Sequence, residues 1–331
     1  HIAVYRGKNG KIVRAERPKE MLDASIATPS LGSAIINGKY TNAVPLYRQE
    51  QEFGRNDVNI SRQTMSNWVL TAGERWLLPV YHALHKELLA NEILHADETT
   101  LMVLREPGRQ ARQRSYVWLY RTSGNALRPV VLYDYQPSRA GVCASRFLEG
   151  FSGYLHTDGY EAYHCSLPET VCSVGCWAHM RRKFTDTLRS LPKELRSRSP
   201  AQTGLDFCNR LFALEAEFLR QTLSAEQRYA QRKQRSEPIA GEFFRWAQNE
   251  YEKNPVPKSL YGAALGYALR QQSWLMNVFC DGRLELSADA PYARRTVEIT
   301  AARGQRVTVY EMFRGGDHLH VRTVLRPERG A

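Results

Sequence analysis

Two short acidic motifs have the residue types and spacing to do chemistry: His95-Ala96-Asp97-Glu98-Thr99-Thr100 and, about sixty residues later, His156-Thr157-Asp158-Gly159-Tyr160. Each closes an apolar run that reads as a β-strand, so each delivers a carboxylate at a strand end. Two carboxylates from one sheet are a common means of holding Mg²⁺, which takes one or two protein carboxylates and completes its shell with water and phosphate oxygens. The chemistry they point to is phosphoryl transfer on nucleic acid. Residues two apart share a strand face, so His95, Asp97 and Thr99 point together, and Glu98 points away as a structural neighbour rather than a ligand. Gly159 follows Asp158 where the chain must turn sharply out of the sheet.

The elements that would position these carboxylates run in the order βββαβαβα. Strands are predicted over 93–97, 116–120 and 129–135, a helix over 138–149 and a fourth strand over 154–158. A short helical piece over 161–165, a fifth strand over 171–176 and a basic helix over 178–190 follow. That is the order of an α/β, RNase H-like mixed sheet flanked by helices. Its first and fourth strands lie side by side, which would bring Asp97 and Asp158 to one point.

Upstream, residues 45–55 and the stretch after Ser61 predict two helices joined by Asn56-Asp57-Val58-Asn59. Ser61 is placed as an N-cap, with Ile60 and Met65 as a hydrophobic staple. This reads as an N-terminal helix-turn-helix over about 45–76, whose second helix would turn Arg62, Gln63, Ser66 and Asn67 toward base edges. The alternative is a plain helical hairpin with a solvated polar face. A further short helix is predicted over 27–40, with Pro29 in its first turn.

Beyond Phe184 about ninety residues read as helical. Leu205, Cys208, Leu211, Phe212 and Leu219, and an apolar stripe over 260–279, supply core faces. The run Gln227 to Arg235 lacks an apolar period and reads either as a row tracking a phosphate backbone or as a solvated helix face. The domains so delimited are a helical DNA-binding region over 1–90, a catalytic core over 91–190, a helical insertion with the end of the core over 191–287, and a divergent tail over 288–331.

With 46 Lys and Arg against 34 Asp and Glu, the chain carries a formal charge of +12, a field that attracts polyanions such as DNA, RNA or an anionic surface. No stretch reaches the ~20 apolar residues of a membrane helix. Residues 1–20 are too basic and broken for a signal peptide, so a cytoplasmic protein without a membrane partner is expected. The first residue is His rather than Met, which reads as a fragment or a processed product. Six cysteines at irregular positions suggest reduced thiols. Cys165, Cys172, Cys176 and His179 have zinc-ligand types but lack paired knuckle spacing, so buried strand cysteines are the reading preferred here.

Five segments together resemble one known family: Asn42-Ala43-Val44-Pro45-Leu46-Tyr47-Arg48-Gln49-Glu50, His95 to Thr99, Thr157 to Tyr160, Cys176 to Phe184, and Asp281-Gly282-Arg283-Leu284-Glu285. In this order, from about Ala27 to Ser287, they resemble the DDE transposase of the IS-sixty-six insertion-sequence family. The resemblance implies a bacterial, nucleoid-associated DNA transposase that binds element ends and catalyses Mg²⁺-dependent cleavage and strand transfer. It implies an RNase H-like core with a helical insertion before the last acidic residue. Asp97 and Asp158 carry over as two members of an acidic triad holding two Mg²⁺ ions, with Mn²⁺ as a substitute. Arg181, Arg182 and Lys183 would neutralise nearby backbone phosphates. Implied partners are the terminal repeats, target DNA, further copies of the chain on DNA, and helper proteins from the same element.

The sequence departs from the family at its end. After Asp-Gly-Arg-Leu-Glu the family continues Asn-Asn-x-x-Glu, whose glutamate is the third acid; counted without gaps it falls on Tyr292. Glu285 and Asp289 are the candidate substitutes, with Asp281 a further acid nearby. The alternative function is therefore a truncated or frameshifted remnant that binds DNA without catalysis. A glycoside hydrolase using Asp97 and Asp158 as acid and base is the reading from another enzyme class, opposed by the basic charge and the paired N-terminal helices.

Overall fold

The computed structural model describes residues 4–14, 22, 25–103, 106–110, 112–161, 163, 167–253, 256 and 259–287, with the backbone of 296–300, 306–315, 318–322 and 326–327. The chain forms two compact units, His1–His82 with Tyr292–Ala331, and Ala83–Pro291. Asp289 lies outside the described residues, as do Cys165 and Tyr292.

In the first unit, β1 (Val4–Arg6) and β2 (Ile12–Arg14) pair as a small antiparallel hairpin. Helix α1 (Pro29–Tyr40) starts where Thr28 accepts the Leu31 N–H at 3.2 Å, and Pro29 sits in its first turn at no cost in hydrogen bonds. Helices α2 (Leu46–Arg55) and α3 (Arg62–Ala72) follow. The Ser61 hydroxyl accepts the Thr64 N–H at 3.1 Å, and Ile60 and Met65 are both buried, so cap and staple fix the entry to α3 as expected. Gln49 is the buried polar tie among these helices, donating through Nε2 to the carbonyls of Ile35 at 3.3 Å and Val44 at 3.0 Å. A π-helical turn, Gly73–Leu77, continues α3 into α4 (Leu78–Leu89). The described strands after residue 295 pair antiparallel around Arg306–Gly315.

The second unit is mixed α/β. Its strands are β3 (Ile93–Met102), β4 (Arg114–Thr122), β5 (Val131–Gln136), β6 (Gly153–Thr157) and β7 (Val171–Gly175), in the order β5-β4-β3-β6-β7. The first three form an antiparallel meander, and β6 and β7 run parallel to β3. Thus the first and fourth strands of the sheet are neighbours, as the element order predicts. On one face α5 (Gly141–Phe147) lays the Phe147 ring on Tyr120, centroids 3.8 Å apart, beside Trp118 and Tyr163. Helix α6 (Trp177–Arg189) leaves β7 directly and joins Ile93 and Val174 in the core that the later helices complete.

Those helices are α7 (Pro200–Arg220), α8 (Ala225–Gln231), α9 (Glu237–Glu252), α10 (Leu260–Arg270) and α11 (Gln272–Met276). Phe243 of α9 is their hub, with Trp177, Phe184, Phe207, Phe244 and Trp246 rings at 5.0–6.0 Å. Each such aromatic pair adds ~0.5–1.5 kcal/mol beyond area burial. In α7 the core face is Gly204, Cys208, Leu211 and Phe218. Leu219, expected inside, is 69% exposed. The helical period does not explain this, since eleven residues from Cys208 is a rotation of about 1100°, within about 20° of the same face; Leu219 is the next-to-last residue of α7, where what packs on the helix decides.

The run Gln227 to Arg235 also reads differently in three dimensions. It is not wholly a solvated face. Arg232, 1% exposed, meets Glu215 through Nε and Nη2, both at 2.7 Å, and donates to the carbonyls of Val278, Asp281 and Leu284. Lys233 and Arg235 pair with Glu237 and Glu217. Five donations from one guanidinium bolt the insertion to the returning Asp-Gly-Arg-Leu-Glu segment. Gly282 completes the joint, since a Cβ there would come within 1.8 Å of the Ala225 carbonyl oxygen.

Candidate active site

The site grows from the pairing of β3 with β6. In that parallel register Ile93, Leu94 and His95 face Tyr154, Leu155 and His156. His95 and His156 stack at 4.9 Å with planes 8° apart, and two residues further along each strand stand Asp97 and Asp158. Asp158 follows the last residue of β6, as expected, but Asp97 is not at a strand end. Strand β3 runs on to Met102 because β4 keeps pairing with it through Arg114. Asp97 sits instead where the parallel partner stops, which leaves its edge of the sheet open.

Asp97 keeps a face to solvent, yet the protein around it removes enough water to raise its carboxyl to about 6, with the Asp158 and Glu98 charges pushing the same way. The His179 imidazole, from the first turn of α6, pulls in the opposite direction, as does the Glu98 N–H that Asp97 Oδ1 accepts at 2.8 Å. Asp158 is held by its own turn. Its Oδ1 accepts the Tyr160 N–H at 2.9 Å, and its carbonyl accepts the Tyr267 hydroxyl at 2.6 Å. Gly159 has φ +87° and a Cβ there would lie 2.6 Å from Gln271 Oε1, so glycine is required both by the left-handed turn and by the close approach of α10.

Glu98 points to the opposite face, as strand alternation demands. Its side chain is 1% exposed and accepts from Arg139 Nε at 2.8 Å, from Arg139 Nη2, and from the Tyr163 hydroxyl at 2.6 Å. Burial raises its carboxyl, partly offset by these donors. Burial and the Glu98 charge push the Tyr163 phenol well above its usual range, so Tyr163 stays a donor.

Glu285 stands two residues before Asp97 along β3, beside His95. Its Oε1 accepts the Gly124 N–H at 2.8 Å, and Oε2 lies 3.8 Å from His95 Nε2 and 3.7 Å from Arg121. Arg181, Arg182 and Lys183 are exposed on the first half of α6; Arg181 lies over Phe212 at 5.4 Å and Lys183 over Tyr267 at 5.3 Å. In the other unit Arg62, Gln63 and Asn67 are exposed on α3 and Ser66 is half-buried, with Gln63 Nε2 bonded to Asn67 Oδ1 at 3.0 Å. Of the cysteines read against zinc, Cys172 is exposed and Cys176 buried. Among the described residues no three His, Cys, Asp or Glu side chains gather as a metal-binding group.

Sequence reasoning missed four contributors: Arg139, Tyr160, Tyr163 and Tyr267. Arg139 and Tyr267 reach the site from far along the chain, whereas Tyr160 closes the second acidic motif and Tyr163 lies three residues beyond it. The sequence offers His179 as a zinc candidate and within the Cys176 to Phe184 segment, and not as a neighbour of Asp97.

A family model described as "Transposase IS66 family" matches residues 24–290. The chain belongs to that family. Three uncharacterized proteins of Sinorhizobium fredii are similar to this IS66-family chain. The protein y4qI is 32% identical over 298 residues, 86% of this chain and 53% of its own length. For y4jD the identity is 29%, over 85% and 55%, and for y4hP 27%, over 88% and 54%. The IS66-family chain thus spans about half the length of these curated relatives. No solved structure matches it. The family match stops at residue 290, two short of Tyr292. No helix among the described residues is long and apolar enough to cross a membrane.

Proposed function

We propose that this chain carries the catalytic core of an insertion-sequence transposase, an RNase H-like sheet that cleaves and joins DNA at element ends. The observation that carries the reading is the β3–β6 register, which sets Asp97 and Asp158 two residues beyond the stacked histidine pair. Two mutually repelling carboxylates at an open sheet edge fit a hard divalent cation, whose charge would relieve the repulsion that raises Asp97. Asp97 and Asp158 would hold Mg²⁺ or Mn²⁺. Held there, the metal would lower the pKa of an attacking water or 3′-hydroxyl and would stabilise the leaving oxygen.

The chain's own groups do the rest. Tyr160 and Tyr267 fix the Asp158 turn so that its carboxylate is preoriented. Arg181, Arg182 and Lys183 lie exposed on the helix that carries His179 and contact backbone phosphates. Helices α2 and α3 act as a helix-turn-helix, with Arg62, Gln63, Ser66 and Asn67 reading the terminal repeats. Assembly of several copies on paired ends, with helper proteins of the same element, belongs to the same proposal.

The second reading is a remnant that binds element ends without catalysis. The specific observation favouring it is the end of the family match before Tyr292. Plasmid nicking at element ends in Mg²⁺ or Mn²⁺, compared among the wild type, Asp97→Asn and Asp158→Asn, tests both. Nicking lost in either variant supports the transposase reading. End binding without nicking in all three supports the remnant, and absence of both overturns the DNA assignment.

A further inference from the structure

Arg139 sits in the loop between β5 and α5, a region that the acidic motifs do not include. Its guanidinium is clamped on two sides. Nε and Nη2 both donate to Glu98 Oε1, and the plane lies over the Tyr160 ring at 3.7 Å to the centroid. Its backbone is clamped as well, because the Tyr160 hydroxyl donates to the Arg139 carbonyl at 2.9 Å. The same Tyr160 gives its N–H to Asp158. A buried carboxylate on the strand of Asp97 and a ring on the turn of Asp158 therefore fix one cation between the two halves of the site.

The remaining edge of that cation is open. The Arg139 side chain is 40% exposed, and among the described residues Nη1 has no hydrogen-bond partner. Its charge acts on Asp158, whose turn also carries the Tyr160 ring, so the open edge belongs to the neighbourhood of that carboxylate. A guanidinium used only as a structural counter-ion for Glu98 would not need to leave its Nη1 edge open within reach of the Asp158 charge. A planar cation held rigid by a buried acid and an aromatic face is the arrangement that recognises a phosphate with little entropy left to lose.

We propose that Arg139 is a DNA-backbone contact of the active site, its Nη1 edge binding a phosphate of the strand being processed. This rests on the transposase reading and deepens it, naming the group that offsets the phosphate charge on the α5 side while α6 supplies Arg181 to Lys183 on the other. Glu98 is then a positioning residue: it aims Arg139, and it touches no substrate.

The test uses the full chain and a duplex carrying an element end, without metal, with affinity measured between about 50 and 200 mM salt. Arg139→Gln is expected to weaken binding and to reduce the slope of log K against log salt by about 1. Arg139→Lys is expected to keep the slope but to weaken binding several-fold, since Lys binds as a point charge without the fork. Because Arg139→Gln leaves Glu98 buried and unpaired, the double variant Arg139→Gln with Glu98→Gln serves as the folded control and is expected to show the same reduced slope. An unchanged slope in the double variant would overturn the proposal. Failure of the wild type to bind the duplex at any salt would overturn the underlying DNA reading instead.

Discussion

Asp97 on β3 and Asp158 just past the end of the parallel β6 each follow by two residues a histidine, and the two histidines stack at 4.9 Å. The stacked pair is a spacer built into the sheet. His156 is fully buried and His95 nearly so, and their near-parallel planes pin the lateral offset of the two strands just before the carboxylates emerge.

Removing the Asp158 charge should bring Asp97 down from about 6 toward its ordinary value. Folded Asp97 holds its proton more tightly than the unfolded chain does, so the metal-free protein loses stability as pH rises from about 4 to about 6. Asp158→Asn should lower the Asp97 midpoint in a carboxylate NMR titration and flatten the fall in Tm across that window. An unmoved midpoint would show that the two carboxylates do not interact.

His156 works in the opposite sense. Complete burial pushes its imidazole from 6.5 down to about 3, although the Glu285 backbone partly favours the charged form. Unfolding lets it take up a proton, so stability is intact above about 6.5 and drains away as pH falls toward about 3. Linkage of this size is worth on the order of 5 kcal/mol at the acid limit. His156→Leu should reduce the loss of Tm between pH 7 and pH 4; an identical loss would place the acid sensitivity elsewhere.

Two arginine–glutamate pairs in the insertion allow a comparison at matched chemistry. Arg232–Glu215 is buried and also serves three carbonyls, whereas Arg235–Glu217 is about one-third exposed at both ends. Arg232→Ala should cost ~3–5 kcal/mol in urea unfolding. Arg235→Ala should cost ~0–1 kcal/mol. Equal costs would remove Arg232 as the fastener of the Asp-Gly-Arg-Leu-Glu segment.

Gly282→Ala attacks the same joint from the backbone. The added methyl meets the Ala225 carbonyl and the Tyr229 N–H region, neither of which can rotate away. A loss of ~1–3 kcal/mol in the same unfolding assay is expected. A neutral result would mean that α8 shifts freely against this turn.

The strands of the sheet and the opposite faces of Asp97 and Glu98 were legible because they depend on local signals. Strand alternation sorted Asp97 from Glu98, and the order of strands made the first and fourth neighbours. The N-cap at Ser61 and the staple of Ile60 with Met65 were equally local. What escaped was long-range. Nothing in the run around Arg232 announces that Glu215 and three carbonyls enclose it, since composition reports charge and not partners. Arg139 meets Glu98 across 41 residues, and no periodicity links them. Leu219 shares the face of Cys208 by period and is exposed nonetheless, since a period gives the face and not what packs on it. Strand β3 outran its predicted end because β4, not its own composition, decides where pairing stops.

The most direct test of the acidic pair is Mn²⁺ binding, followed by loss of the free-ion EPR signal, in the wild type, Asp97→Asn and Asp158→Asn. The account predicts saturable binding by the wild type that either single substitution weakens by at least about tenfold, with each variant folded by circular dichroism. Equal binding by all three proteins would contradict it, because the metal would then be held by residues other than the two carboxylates that the β3–β6 pairing brings together.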